Sequence, residues 1–427
     1  MLDLGRALAL IVISFTTVCL VAHAAAPDDV EKRAAAILKK MTLEEKLDYI
    51  GGTRGFYIRG IPRLGLPEFK MADGPIGVRN FGPSTAYAAG VGLAASWDED
   101  LAHRVGAMIG KDARARGVHF LLGPGVNIYR TPLCGRNFEY FGEDPFLASR
   151  MAVDYIEGVQ SQGVSATVKH FMGNNSEYNR HHTSSDIDER TMREIYLPTF
   201  EAAVREAKVG AIMDSYNLVN GVHMTQNDYL NNQVAKKEWG FGGIIMSDWN
   251  ATYDAAAAAN GGLDLEMPSG KLMNRANLGA AIRKGEVTVA TLDDKVLRIL
   301  RTAIRFGWLD REQTDRGWPL FSEEGRRLAL ETARSSMVLL KNDGGVLPLA
   351  KGKIKSVALI GPDAYPAVPV GGGSAQVRPF VAVSYLEGIS SYLADGATVT
   401  WSRGLAPLDE IFDSDAFVTT ASGGEPG

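Results

Sequence analysis

Between about residue 40 and residue 310, short apolar runs alternate with helical stretches, and most of the runs end in reactive polar side chains. That alternation narrows the fold more than any other feature. The candidate strands are 90–95, 118–122, 165–168, 209–213, 243–246 and 262–265, and the intervening helical stretches include 98–116, 148–162 and 188–208. In the last of these, Met192, Ile195, Tyr196, Phe200, Ala203, Val204 and Ala207 share one helical face. Strands alternating with helices predict a parallel sheet covered by helices, either a closed barrel or an open doubly wound sheet. Val168 runs into Lys169-His170, Met213 into Asp214-Ser215-Tyr216-Asn217, Met246 into Ser247-Asp248-Trp249, and Leu265 into Glu266. Polar ends on successive strands converge around one mouth in a barrel, whereas an open sheet gathers ligands at one switch point. Residues 40–310 are therefore read as a (β/α)8-type barrel.

The stretch Gly242 to Asn250 shows the pattern at its sharpest. Ile244-Ile245-Met246 is short, β-branched and bounded by glycines, so it reads as a buried strand. Asp248, at its end, is a candidate nucleophile, and Trp249 a platform for the C–H face of a sugar. The competing role for Asp248 is to cap a helix at 251–260. His181-His182 near Asp186 and Asp188 matches no standard zinc spacing, and acids there suit a helix start, so no metal site is expected. Lysine, histidine, arginine, tyrosine and aspartate at strand ends suit a polyhydroxylated ligand.

Composition agrees with a neutral ligand. The 427 residues carry 45 basic and 50 acidic side chains, a formal charge of -5, with no basic run to attract nucleic acid. Arg6, the apolar stretch 7–21 and Ala22-His23-Ala24 resemble a secretory leader cut after Ala24, with an uncleaved anchor as the alternative. Cleavage would leave Cys134 as the only cysteine, compatible with a secreted or periplasmic destination but not diagnostic of one. No later segment is apolar enough to span a bilayer. Thr42 and Glu45 have capping-box spacing. After Trp308 a turn-rich stretch, 311–330, reads as a linker. Residues 331–427 then read as the start of an α/β domain: a helix running into a strand over 323–340, a strand at 355–360 and a helix at 384–393. Gly371-Gly372-Gly373-Ser374 lacks the Lys-Ser/Thr of a phosphate cradle and reads as a flexible loop.

Several longer motifs resemble the family-three glycoside hydrolases, in particular bacterial secreted β-glucosidases, over nearly all of 25–427. Met71-Ala72-Asp73-Gly74-Pro75-Ile76-Gly77-Val78-Arg79 is similar to the segment whose acid holds hydroxyls at the far side of glucose. That similarity implies substrate contacts for Asp73 and Arg79. By the same resemblance Arg136, Lys169, His170, Met213, Tyr216 and Trp249 are implied to contact sugar, and Asp248 to be the nucleophile of a retaining mechanism with no metal or organic cofactor. The family's acid/base glutamate is expected beyond Gly427, with Gly423 to Gly427 resembling the entry to a β-sandwich insert. On this reading the chain is a β-glucosidase that looks cut short within its second domain, or else a catalytically weak carbohydrate-binding protein. Met172-Gly173-Asn174-Asn175 stands where the N-acetylhexosaminidase branch carries its His-Asp dyad loop, and Asp73 argues against the xylosidase branch.

Overall fold

The computed structural model describes residues 27–407. The leader assigned to 1–24 and the tail at 423–427 lie outside them. Two short helices, Pro27–Leu38 and Leu43–Tyr49, lead in. Thr42 and Glu45 form the expected box at the second: Glu45 N–H donates to Thr42 Oγ1 (3.2 Å) and Thr42 N–H to the Glu45 carboxylate (2.9 Å).

The strands Phe69–Asp73, Phe120–Leu122, Ser165–Phe171, Ala211–Asp214 and Ile244–Ser247 lie parallel, side by side in chain order. Parallel neighbours need long crossovers, and helices such as Glu99–Ala115 and Pro145–Ser161 supply them. At one edge the short strands Gly52–Thr53 and Tyr57–Ile58 form an antiparallel pair that joins Phe69–Asp73. At the other edge, Ser247 N–H donates to Leu265 O (3.0 Å), Glu266 N–H to Ile50 O (2.9 Å) and Gly52 N–H to Glu266 O (2.8 Å). The sheet thus curls until its two edges meet through Leu265 and Glu266. The barrel reading holds, with one member, Tyr57–Ile58, reversed against its neighbours.

Four local expectations need correction. Residues 90–95 are a helix, Gly90–Ala95, because their buried positions Gly90, Leu93 and Ala94 follow helical spacing rather than alternation. The run at 262–265 makes only an isolated bridge to Met246, since Asp264 is used to accept the Ile245 N–H (2.9 Å). The helix expected over 188–208 is divided at Met192–Tyr196 by a π turn in which Leu197 N–H reaches back to Met192 O, and restarts at Pro198, a residue suited to a first helical turn. The strand expected at the end of 323–340 is absent: the helix Glu323–Ser335 stops, and Met337 to Leu340 are exposed.

The segment read as a linker is pinned to the barrel. Arg311 donates to Gly163 O (3.0 Å), Gln313 to Val118 O (2.7 Å), and Trp318 Nε1 to Asp112 Oδ1 (3.0 Å). Beyond it lie a parallel strand pair, Ser356–Ile360 and Thr398–Ser402, and the helix Tyr385–Leu393. Among the described residues no helix is long and apolar enough to cross a membrane.

Two outer helices, Glu99–Ala115 and Pro145–Ser161, pack backbone to backbone where glycines meet them. A Cβ on Gly158 would lie 2.1 Å from His103 O, and one on Gly106 2.2 Å from Tyr155 O. Gly158→Ala is expected to cost about 1–3 kcal/mol through overpacking, despite the ~1 kcal/mol that alanine gains in helix propensity. A urea midpoint equal to or above that of the native protein, at unchanged m, would contradict this.

Candidate functional site

Strand ends and the loops that follow them place the chemistry at one mouth. Asp73 closes its strand, Lys169 and His170 lie near the end of theirs, Tyr216 follows Ala211–Asp214, and Asp248 follows Ile244–Ser247. The ladder between Ser165–Phe171 and Ala211–Asp214 shifts register across Lys169 to Phe171, a bulge of the kind that re-aims side chains beside functional sites.

Asp73, Arg79, Arg136, Lys169, Tyr216, Asp248 and Trp249 border one cavity of about 420 Å³. Asp248 Oδ1 accepts two hydrogen bonds of 2.7 Å, from Tyr216 O–H and from the Trp249 backbone N–H. Oδ2 lies 3.6 Å from His170 Nε2, too far for a hydrogen bond. Asp248 caps no helix: the following helix, Ala255–Asn260, starts later and is capped by Asp254, which accepts from Ala257 N–H at 2.7 Å. Across the cavity, Arg79 donates to Asp73 Oδ2 (2.9 Å) and Lys169 Nζ lies 3.7 Å from Asp73 Oδ1. Burial raises the Asp73 carboxyl above the ordinary aspartate range, opposed by Lys169 and Arg79. Trp249 sits against Phe56, ring centroids 5.0 Å apart, so two aromatic faces border the same space.

Two residues assigned to the site stand back from it. Met213 is 1 % exposed and belongs to the strand core, the ordinary fate of an apolar strand residue, so direct sugar contact is not what its position offers. His170 is fully buried behind Asp248. Its backbone N–H donates to Asn127 Oδ1 (2.8 Å), and its ring Nδ1 lies 3.2 Å from that same oxygen and 3.3 Å from Tyr140 O–H. Burial, then the cations Arg136, Lys169 and Arg180, hold its imidazole well below the ordinary range and therefore neutral.

Phe56, Phe138 and Arg180, which the reading of the sequence passed over, also line the cavity, beside Glu139 and Glu177, whose motif positions suggest structural or sugar-contact roles. Glu139 pairs with Arg136, and Glu177 with Arg180. With Asp73–Arg79, Lys169 and Asp248, the lining holds four carboxylates and four cations. A mouth so balanced suits an uncharged polar ligand better than an anion. The glycine run assigned to a flexible loop also lies here: Gly371, Gly372, Gly373 and Ser374 line the cavity, and Arg136 donates to Ser374 Oγ at 3.0 Å. A Cβ on Gly371 would fall 2.6 Å from the Phe138 ring, so glycine is what admits that approach. Asp214, by contrast, is turned into the core, where Asn231 donates to it at 3.0 Å.

Comparison with known proteins gives this geometry a family. Residues 59–302 match the glycosyl hydrolase family 3 N-terminal domain, and residues 337–422 the glycosyl hydrolase family 3 C-terminal domain. The chain belongs to glycosyl hydrolase family 3. It is 44 % identical over 374 residues to a β-glucosidase of Rhizobium radiobacter, covering 86 % of this chain and 46 % of that protein. It is 40 % identical to thermostable β-glucosidase B of Acetivibrio thermocellus, covering 89 % and 51 %. Its fold is similar to that of DesR, a β-glucosidase from Streptomyces venezuelae solved in complex with D-glucose (TM-score 0.79, 38 % identity, 87 % of this chain and 50 % of that one). The chain spans about half the length of the curated relatives it matches.

The neutral state of His170 is directly observable. At pH 5 an ordinary histidine, with pKa about 6.5, is charged. Nitrogen-15 imidazole spectra should still show the neutral pattern for His170, its signal assigned by loss in His170→Gln. A charged pattern at that pH would contradict the buried, cation-flanked site.

Proposed function

We propose that this chain carries the sugar-binding mouth and nucleophile of a retaining β-glucosidase acting on terminal β-D-glucosyl residues. The observation that carries this reading is the disposition of Asp248. One oxygen is held by Tyr216 and the Trp249 N–H, while the side chain borders a neutral, aromatic-walled cavity whose other side holds Asp73, Arg79 and Lys169. The glucose-bound relative and the β-glucosidase relatives support the same substrate class.

In the proposed reaction Asp73, Arg79, Arg136 and Lys169 hold ring hydroxyls, and Trp249 with Phe56 covers an apolar ring face. Asp248 attacks the anomeric carbon from the side opposite the leaving group, forming a glycosyl ester that water later opens. A second carboxyl group must protonate the departing oxygen, a contribution worth about 10²–10⁴-fold. Glu139 and Glu177 are held in ion pairs with Arg136 and Arg180, and we assign the acid to neither. Asp73, which accepts from Arg79 at 2.9 Å, is assigned to hydroxyl binding instead.

Trapping tests the reading independently of the acid. A dinitrophenyl 2-deoxy-2-fluoro-β-glucoside has a leaving group that needs no protonation, and its fluorine slows release of the intermediate. Folded protein should gain one fluoroglucosyl unit by intact mass, mapped to Asp248 and absent from Asp248→Asn. Folded protein that takes up no label would overturn the proposal and favour a binding role.

We further propose export through the N-terminal leader, to the periplasm or beyond. N-terminal sequencing of protein recovered outside the cytoplasm should begin at Ala25, and an intact Met1 there would contradict it.

A further inference from the structure

We propose that Arg180 is a positioning residue that acts through Tyr216 on the leaving ability of Asp248, an inference resting on the retaining reading above. The guanidinium carbon of Arg180 lies 3.7 Å from the centroid of the Tyr216 ring, a close cation–π approach. Its place is fixed from behind. Arg180 Nη1 donates to Glu177 Oε2, and Glu177 Oε1 accepts from the buried Asn174 Nδ2 at 2.9 Å. His181 meets the Tyr216 ring edge-on, centroids 4.8 Å apart, and its Nδ1 lies 2.9 Å from Tyr253 O–H. Tyr253 O–H is in turn 3.1 Å from Tyr216 O. The phenol is therefore held on its face, its edge and its backbone while its O–H points at Asp248 Oδ1 (2.7 Å).

A cation over a phenol ring draws electron density from it and makes the O–H a stronger donor. The benefit depends on the charge of Asp248, which differs between the two steps. In the first step the carboxylate spends its charge on the anomeric carbon, so a stronger Tyr216 hydrogen bond gives no acceleration. In the second step a nucleophile attacks the anomeric carbon, the bond to Asp248 breaks, and its electron pair returns to the carboxylate. Charge then reappears on Oδ1, where Tyr216 donates, and the Arg180-polarised O–H stabilises it. Arg180 thus belongs to deglycosylation, with no direct contact to the reacting atoms required.

The experiment follows both steps by intact mass on the full chain. Labelling by the dinitrophenyl fluoroglucoside reports the first step. Release into excess azide, which forms the glycosyl azide and needs no general base, reports the second. Arg180→Met should label at the native rate or faster but release about three- to thirtyfold more slowly, the span that a cation–π contact of this kind supports. Arg180→Lys, which keeps a cation, should recover most of the release rate, and Glu177→Gln, which frees the guanidinium, should slow release in the same sense as Met. Equal slowing of both steps in Arg180→Met, or native release in it, would overturn the proposal in favour of a purely structural arginine. Should Arg180→Met fail to fold, release by Glu177→Gln at the native rate overturns it equally. Native protein that never labels overturns the retaining reading itself, and this inference with it.

Discussion

Closure of the sheet is the constraint from which the site follows. Leu265 and Glu266 bridge the strand Ile244–Ser247 to Ile50 and Gly52 by ordinary backbone hydrogen bonds, and so leave neither edge of the ring unpaired there. Because the five main strands are parallel, their carboxyl ends all open on the same side. Asp73, Lys169, Tyr216 and Asp248 are remote from one another in the chain yet border one cavity for that reason alone. The bulge at Lys169 to Phe171 adjusts the aim of Lys169 without breaking the ring.

Burying so many charges at one mouth is costly unless each finds a partner. Here Asp73 is met by Arg79 and Lys169, Arg136 by Glu139, and Arg180 by Glu177. Asp248 differs from the other acids in being held at Oδ1 by two neutral donors rather than by a bonded cation. That distinction sets Asp248 apart from the three carboxylates held in ion pairs with arginine. Neutral His170 behind it fits the same economy, since a second cation there would add repulsion from Arg136 and Lys169.

Residues beyond the barrel also build the mouth. The 311–335 segment binds the outside of the ring through Arg311, Gln313 and Trp318, and the glycine run that follows reaches over the cavity to Arg136. Two glycosyl hydrolase family 3 domain matches therefore meet at one site, the first supplying the strand ends and the second a backbone strap.

Local features of this architecture were legible in the residues. Ile244-Ile245-Met246 reads as a buried strand from its short β-branched run, and the Thr42–Glu45 box from its spacing, because both depend on near neighbours. The strand-like reading of 90–95 failed where small residues satisfy either period and packing against neighbouring elements decides. Strand Phe69–Asp73 was not recognised as a strand at all, although its motif carried the family resemblance. The sequence by itself determined a barrel-like alternation, a family and most of the polar groups at strand ends. Tertiary structure alone decided that Met213 and His170 stand back from the cavity, that Arg180 covers Tyr216, and that Ser374 meets Arg136 from 238 residues away. Periodicity is a property of neighbouring residues, whereas side-chain contacts across a closed ring exist only once the ring has closed.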